Sequence, residues 1–314
     1  MNDLVKDEDI SGEVYLYDID YEAACDNEII GNMYNSLEGA KSKWTYHAAK
    51  TAEEAMTGAD FVVASILPGT FDEMESDVHT PEKYGIYQSV GDTAGPGGVI
   101  RAMRTIPMYE EIALNVKKYC PDAWVISYTN PMTLCVKALY DTFPEIKAFG
   151  CCHEVFATQT LLTKVLLETK GIEPKRSEIK IIPVGVNHFT WLTEAKYKNI
   201  DLFPLYEEFA NKYYETGYTA GMDENWFNNF FSTSHRVKFD LFKKYGYIAA
   251  AGDRHLAEFN KGNSYLKDPD TVRSWGFGLT PVSWRKEHRA EKIEEQRQII
   301  NGEKQIELRD SGDV

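Results

Sequence analysis

Short apolar runs, each closed by a turn-forming residue and followed by a helical pattern, constrain this chain more than any other feature. Val14–Tyr17 (VYLY), Phe61–Leu67 (FVVASIL), Trp124–Tyr128 and Ile146–Gly150 are too short for buried helices and rich in strand formers. Helical patterns fall between them at about 21–35, 52–57, 98–120 and 133–142, with a weaker strand at Trp44–Ala48. That alternation predicts a doubly wound, Rossmann-like α/β domain on a parallel sheet. FVVASIL, stopped by Pro68-Gly69, predicts a strand buried on both faces. Pro107 predicts a break in the helix it falls in.

In such sheets ligands bind beyond the carboxyl ends of the strands. Asp18, Pro68-Gly69, Asn130 and Cys152 follow those ends and are expected at one crevice. A dinucleotide fold should open with a strand, a Gly-rich turn and a helix. The opening MNDLVKDEDISG reads instead as the tail of that helix, so the first strand and phosphate loop are expected to be missing. Beyond about residue 170, Ile179–Val186 and Phe189–Lys198 read as an antiparallel pair, followed by aromatic-rich helices from Leu202 to Tyr245. The expected division is an N-terminally truncated Rossmann-like unit, 1–152, and a C-terminally truncated α+β substrate- and metal-binding unit, 153–314.

Charge and cysteine usage narrow the function. The formal net charge of -15 argues against a nucleic-acid surface and against docking on anionic lipid. The N-terminus lacks the basic and apolar regions of a signal peptide, and no apolar run approaches a membrane span. Cys25, Cys120, Cys135, Cys151 and Cys152 are odd in number and without a disulfide framework, as in a cytoplasmic protein with reduced thiols.

Several residues could carry chemistry, each with a plainer reading beside it. Asp18 could bind a ribose or cap a helix. Gly91, Gly95, Gly97 and Gly98 surround Asp92, which permits close approach of a ligand or simply a flexible loop. Arg101 and Arg104 could clamp substrate or face solvent. Asn130 could bind a hydroxyl or start a turn. Cys152 and His188 form an incomplete ligand set for a borderline divalent metal, or a buried thiol and an unrelated imidazole. Asp240, Asp253, Arg254, His255 and Glu258 are either site residues or a paired structural network.

The ordered set YDID, SILPG, GDTAGPGG, YTNP, GCCHE, GVNHF and GDRHLAEF resembles the family 4 glycoside hydrolases, which depend on NAD and a divalent metal. It looks most similar to their α-galacturonidase branch, with the α-glucosidase and α-galactosidase branches next. The resemblance implies oxidation of a sugar hydroxyl by NAD⁺, loss of the neighbouring proton, elimination of the glycosidic oxygen, addition of water and re-reduction. It implies a divalent ion, Mn²⁺ in many members, held by Cys152 and His188. Asp92 would assist the leaving group, and Asp18 would bind the cofactor ribose with Pro68, Gly69 and Asn130 nearby. Asn130, His153, Asn187, Arg254 and His255 would meet the substrate, the last two through a uronate carboxylate. Asp240 would be the base, with Tyr245 in reserve. The small-molecule glycoside would be the partner, and the full-length form a homo-oligomer. Without its phosphate loop the chain is expected to bind NAD weakly. A malate/lactate-type 2-hydroxy-acid dehydrogenase and an inactive truncated fragment are the competing readings.

Overall fold

The computed structural model describes residues 1–219 and 233–309. Its first part alternates as the patterning requires: β1 (Gly12–Tyr17), α1 (Tyr21–Met33), β2 (Trp44–Ala49), α2 (Ala52–Met56), β3 (Phe61–Ala64) and α3 (Phe71–His79). Then come α4 (Gly95–Tyr119), β4 (Trp124–Ser127), α5 (Met132–Thr142), β5 (Lys147–Gly150) and α6 (Glu154–Lys170). All ladders here are parallel, in two sheets, β1-β2 and β3-β4-β5. Among the described residues no ladder joins β1 to β3.

That separation overturns one expectation. The strand at 61 is not buried on both faces: Phe61 is 63% and Val63 61% exposed. Tyr15 and Tyr17 on β1 are similarly open. The ladder also stops at Ala64, although Thr129 Oγ1 still accepts Ile66 N–H at 2.9 Å and ties the end of β4 to the end of β3. Pro107 gives a second correction, because α4 runs unbroken through it. Pro107 and Met103 are exposed, so water can reach the carbonyl that proline leaves unpaired, while buried Tyr109, Ala113 and Val116 hold the later turns.

The antiparallel pair forms as β6 (Ile179–Val186) and β7 (Phe189–Tyr197), extended by β8 (Ile200–Asp201). Next are α7 (Phe203–Tyr213), α8 (Arg236–Tyr245), β9 (Ile248–Ala249) on the far edge of β7, and α9 (Asp253–Glu258). The short helices α10 (Gly262–Tyr265) and α11 (Pro269–Ser274) lead to the long α12 (Val282–Ile300). Part of the aromatic-rich stretch expected at 202–245, residues 220–232, lies outside the described residues. No described helix is long and apolar enough to cross a membrane.

Separate cores sit on either side of residue 152. One gathers residues from Met56 to Ala148, between α2, α4, α5 and the three-stranded sheet. Another gathers residues from Leu161 to Ala250, where α6, α7 and α8 cover β6 and β7. The last helix crosses back, since Val282 packs with Met74 and Val78 of α3. Lys286 on α12 also pairs with Asp72 and Glu75 of α3.

One packing contact gives a direct test. At Gly31, α1 lies so close to β2 that an added Cβ would collide with the ring of Tyr46, itself 1% exposed. Gly31→Ala should therefore cost about 1–3 kcal/mol, read as a lowered urea midpoint. An unchanged midpoint would disprove this packing of α1 on β2.

Candidate active site

The loop that carries Asp92 is shaped by what lies behind it. Gly91 has φ +74°, and a Cβ there would sit 2.7 Å from Val78 Cγ2, so only glycine fits. Gln88 braces the loop from below: its Oε1 accepts Gly97 N–H at 2.8 Å and its Nε2 donates to the carbonyl of Asp77 at 2.8 Å. Asp92 is then held by side chains. Thr93 Oγ1 donates to its Oδ1 at 2.7 Å, and Asn130 Nδ2 donates to its Oδ2 at 3.2 Å.

Asn130 reaches Asp92 from the turn after β4, where Arg101 Nε donates to its backbone carbonyl at 3.0 Å. Its Oδ1 is buried without a hydrogen-bond partner among the described residues. His188 arrives from the other side. Asn187 and His188 form the turn between β6 and β7, and Thr133 at the start of α5 accepts Asn187 N–H at 3.1 Å. The Asn130–Pro131 and Asn187–His188 peptide bonds are cis. His188 is 3% exposed, its Nδ1 lies 3.3 Å from Thr93 Oγ1, and its ring stacks on His255 at 3.7 Å. Asp92, His188 and His255 each bring a ligand atom within 4.8 Å of the others.

Glu154, in the first turn of α6, fixes His255. Its Oε2 accepts Gly252 N–H at 2.7 Å, just before α9, and its Oε1 lies 3.5 Å from His255 Nε2. A carboxylate there favours the proton on Nε2 and leaves Nδ1, which is buried and has no hydrogen-bond partner, as a bare lone pair. Cys152 ends the strand-to-helix turn before Glu154, and its thiol hydrogen-bonds the side chain of Asn187. Asn187 Oδ1 is likewise buried without a partner.

The electrostatics follow from burial and these neighbours. Burial works against the Asp92 carboxylate, but His255, Thr93, Arg101 and His188 outweigh it, so its pKa falls below the usual range. Burial, helped by the charge of His255, pushes His188 down to about 3. Burial also lowers His255, against the opposing pull of Glu154 and Asp92. The Cys152 thiol is raised, first by burial and then by the Glu154 and Asp92 carboxylates. At neutral pH the group thus consists of one carboxylate and two neutral imidazoles. With the two unpartnered amide oxygens, it is a set of acceptors short of donors, which suits a bound cation.

Other expected residues stand elsewhere or act differently. Asp18 is exposed after β1, and its Oδ1 accepts Asp20 N–H at 2.9 Å. The carbonyl of Pro68 accepts Arg104 Nε at 3.3 Å, and Gly69 has φ +92° beside Glu73. His153 is exposed, with Nε2 3.8 Å from Glu154. Arg254 donates to the carbonyls of Gly278 and Ser89 and to Thr280 Oγ1, so it binds the fold's own backbone. Asp240 accepts from Tyr214 Oη at 2.7 Å and from Tyr265 Oη and Lys244 Nζ at 2.5 Å each. Burial opposes that charge, yet the three donors hold its pKa below the usual range. Such bonding suits a structural carboxylate and gives Asp240 no contact with Asp92, His188 or His255. Tyr245 packs edge-on against Trp191 at 5.6 Å.

Thr93 carries no local signal beyond its place in GDTAGPGG next to Asp92, and Glu154 in GCCHE is expected at the cofactor or substrate rather than on the metal; the structure sets it against His255 and the Gly252 N–H. Arg285, on α12, was also missed; Asp92 and Arg101 both act on its charge.

A parallel sheet whose strand ends deliver a cation-seeking cluster, with a second α+β unit beside it, suits a small-molecule site. The comparisons give the family. The profile of the family 4 glycosyl hydrolases matches residues 1–168, and that of their C-terminal domain matches residues 183–311. The chain is 62% identical to the alpha-galacturonidase of Thermoanaerobacterium saccharolyticum, over all of this chain and 68% of that protein. It is 51% identical to the alpha-galacturonidase of Bacillus subtilis, with the same coverage. Among solved structures, a putative glucosidase lplD from Bacillus subtilis superposes with a TM-score of 0.90 at 52% identity, over 99% of this chain and 69% of that one. A 6-phospho-alpha-glucosidase from gut microorganisms, solved with NAD and Mn²⁺, shares the fold with a TM-score of 0.69 at 19% identity, over 95% and 63%. The chain belongs to the family 4 glycosyl hydrolases. That membership sets the 2-hydroxy-acid dehydrogenase reading aside.

Substitution at Glu154 tests this tautomer. Gln at 154 keeps the shape of Glu but only one acceptor oxygen, so it cannot serve Gly252 N–H and His255 Nε2–H together. Glu154→Gln should leave the fold intact and weaken Mn²⁺ binding roughly 10–100-fold, measured by titration calorimetry. Wild-type affinity in that variant would remove Glu154 from the site.

Proposed function

We propose that this chain hydrolyses α-galacturonides, using NAD and a divalent cation such as Mn²⁺. The observation that carries the reading is the Asp92–His188–His255 group lined by unpartnered acceptor atoms of Asn130 and Asn187. The sugar class is supported by matches of 51–62% identity, over the whole of this chain and 67–68% of each relative, to proteins named alpha-galacturonidase. The positive charge of Arg101 and Arg285 close to Asp92 suits an anionic sugar. We read the crevice as lying between units 1–152 and 153–314, and the five free cysteines suit a cytoplasmic location.

Asp92, His188 and His255 would hold the ion, with Cys152 beside them. When bound, NAD⁺ takes up and returns a hydride, and the ion stabilises negative charge on sugar oxygens as a Lewis acid. The chain's own groups do the positioning. Asn130 Oδ1 and Asn187 Oδ1 are free to accept sugar hydroxyls, because each amide nitrogen is turned inward, to Asp92 and to Cys152. Asp92 is ionised in the free site, which suits ion ligation better than proton donation to a leaving oxygen. Asp18 at the end of β1 would meet a cofactor ribose.

Two measurements test this. With NAD⁺, Mn²⁺ and a thiol reductant, the protein should cleave an aryl α-galacturonide, and a chelator should abolish turnover. Higher kcat/KM on the matching α-glucoside or α-galactoside would reassign the sugar, and chelator-resistant turnover would reject the ion. Separately, Cys152→Ser should weaken Mn²⁺ binding far more than Cys151→Ser, because successive residues at the strand end face opposite ways. Equal losses would undo the placement of Cys152.

A further inference from the structure

Glu258 belongs to no part of the reading above, yet it is bound more specifically than most of the residues that do. It ends α9, three residues after His255, so the two side chains share one face of a short helix. Its Oε1 accepts two consecutive amides, Val90 N–H at 2.7 Å and Gly91 N–H at 2.8 Å. Those amides immediately precede Asp92. Its other oxygen, Oε2, is buried and has no hydrogen-bond partner among the described residues.

The same helix grips the same loop one residue earlier. Ser89 Oγ donates to the carbonyl of Arg254 at 2.5 Å, Arg254 Nη2 donates to the carbonyl of Ser89 at 2.5 Å, and Thr280 Oγ1 donates to that carbonyl at 2.7 Å. These bonds hold the loop to α9 but end before the peptide that aims Asp92. The contacts of Glu258 begin there.

We infer that Glu258 is a positioning residue that sets the separation of Asp92 and His255, and so the fit of the divalent cation. One helix presents His255 directly and, through the carboxylate of Glu258, fixes the loop carrying its opposite ligand. The inference rests on the proposal that Asp92 and His255 hold the ion. It adds that their spacing is imposed from α9, across 168 residues of sequence between Val90 and Glu258.

The test compares three substitutions in the NAD⁺-loaded protein, titrated with Mn²⁺ alone and then assayed on an aryl α-galacturonide. Glu258→Gln keeps an acceptor oxygen for both amides and should bind Mn²⁺ within a few-fold of wild type. Glu258→Asp shortens the reach by one methylene and should weaken Mn²⁺ binding about 10-fold, and Glu258→Leu, without any acceptor, about 100-fold. Excess Mn²⁺ should restore kcat in the Asp variant at an unchanged melting temperature, which a purely structural defect would not do. If the Leu variant fails to fold, the Asp and Gln variants still decide. Wild-type Mn²⁺ affinity in the Asp variant, or equal losses in Asp and Gln, would overturn the inference. Asp92→Asn separates the two levels. If it leaves Mn²⁺ affinity unchanged, the ion site itself is misplaced; if it weakens binding while Glu258→Asp does not, only the role of Glu258 fails.

Discussion

Parallel pairing of β3, β4 and β5 is the constraint on which the chemistry of this chain depends. Strands that run the same way end on the same edge, so whatever follows them is delivered to one place. Asn130 follows β4 and Cys152 follows β5 for that reason. The β6–β7 hairpin then brings His188 over that edge, and α9 brings His255. Segments that are 163 residues apart in sequence, from Asp92 to His255, meet because the glycine loop of Asp92, the hairpin turn of His188 and helix α9 are each pinned to regular elements. Little of the geometry is left to loops free to wander.

What holds the cluster together is a division of labour among hydrogen bonds. Each functional polar group turns one end to the protein and leaves the other unpaired: Asn130 through Nδ2, Asn187 through its amide, His255 through Nε2. Burying an unpaired acceptor costs about 1–3 kcal/mol, so several together are a standing cost that a bound cation or sugar hydroxyl would relieve. The site is also charge-balanced where the chain as a whole, at -15, is not: Arg101, Arg254 and Arg285 stand among the carboxyl groups of Asp92, Glu154 and Glu258.

Much of this was legible in the sequence, and the limits have physical reasons. The strand runs, the glycine-bound Asp92, Asn130, Cys152, His188 and His255 stand out because turns after strands and glycine loops have local signatures. Glu154 and Glu258 sit in motifs that draw notice, GCCHE and GDRHLAEF, but their roles do not show there, since each acts on a backbone amide distant in sequence. Arg254 and Asp240 show the converse. A charged residue among apolar ones draws notice, and the structure gives Arg254 two backbone carbonyls and Thr280, and Asp240 two tyrosine hydroxyls and Lys244. Pro107 shows that a helix breaker yields when its free carbonyl faces water and the next turns are anchored.

The separation of β1 from β3 matters beyond the crevice. Both strands present backbone N–H and C=O groups that no described ladder uses, beside the exposed rings of Tyr15, Tyr17 and Phe61. Open, apolar edges of this kind pair readily with extended chain from any source. Among the described residues both edges are therefore open to pairing with a further strand.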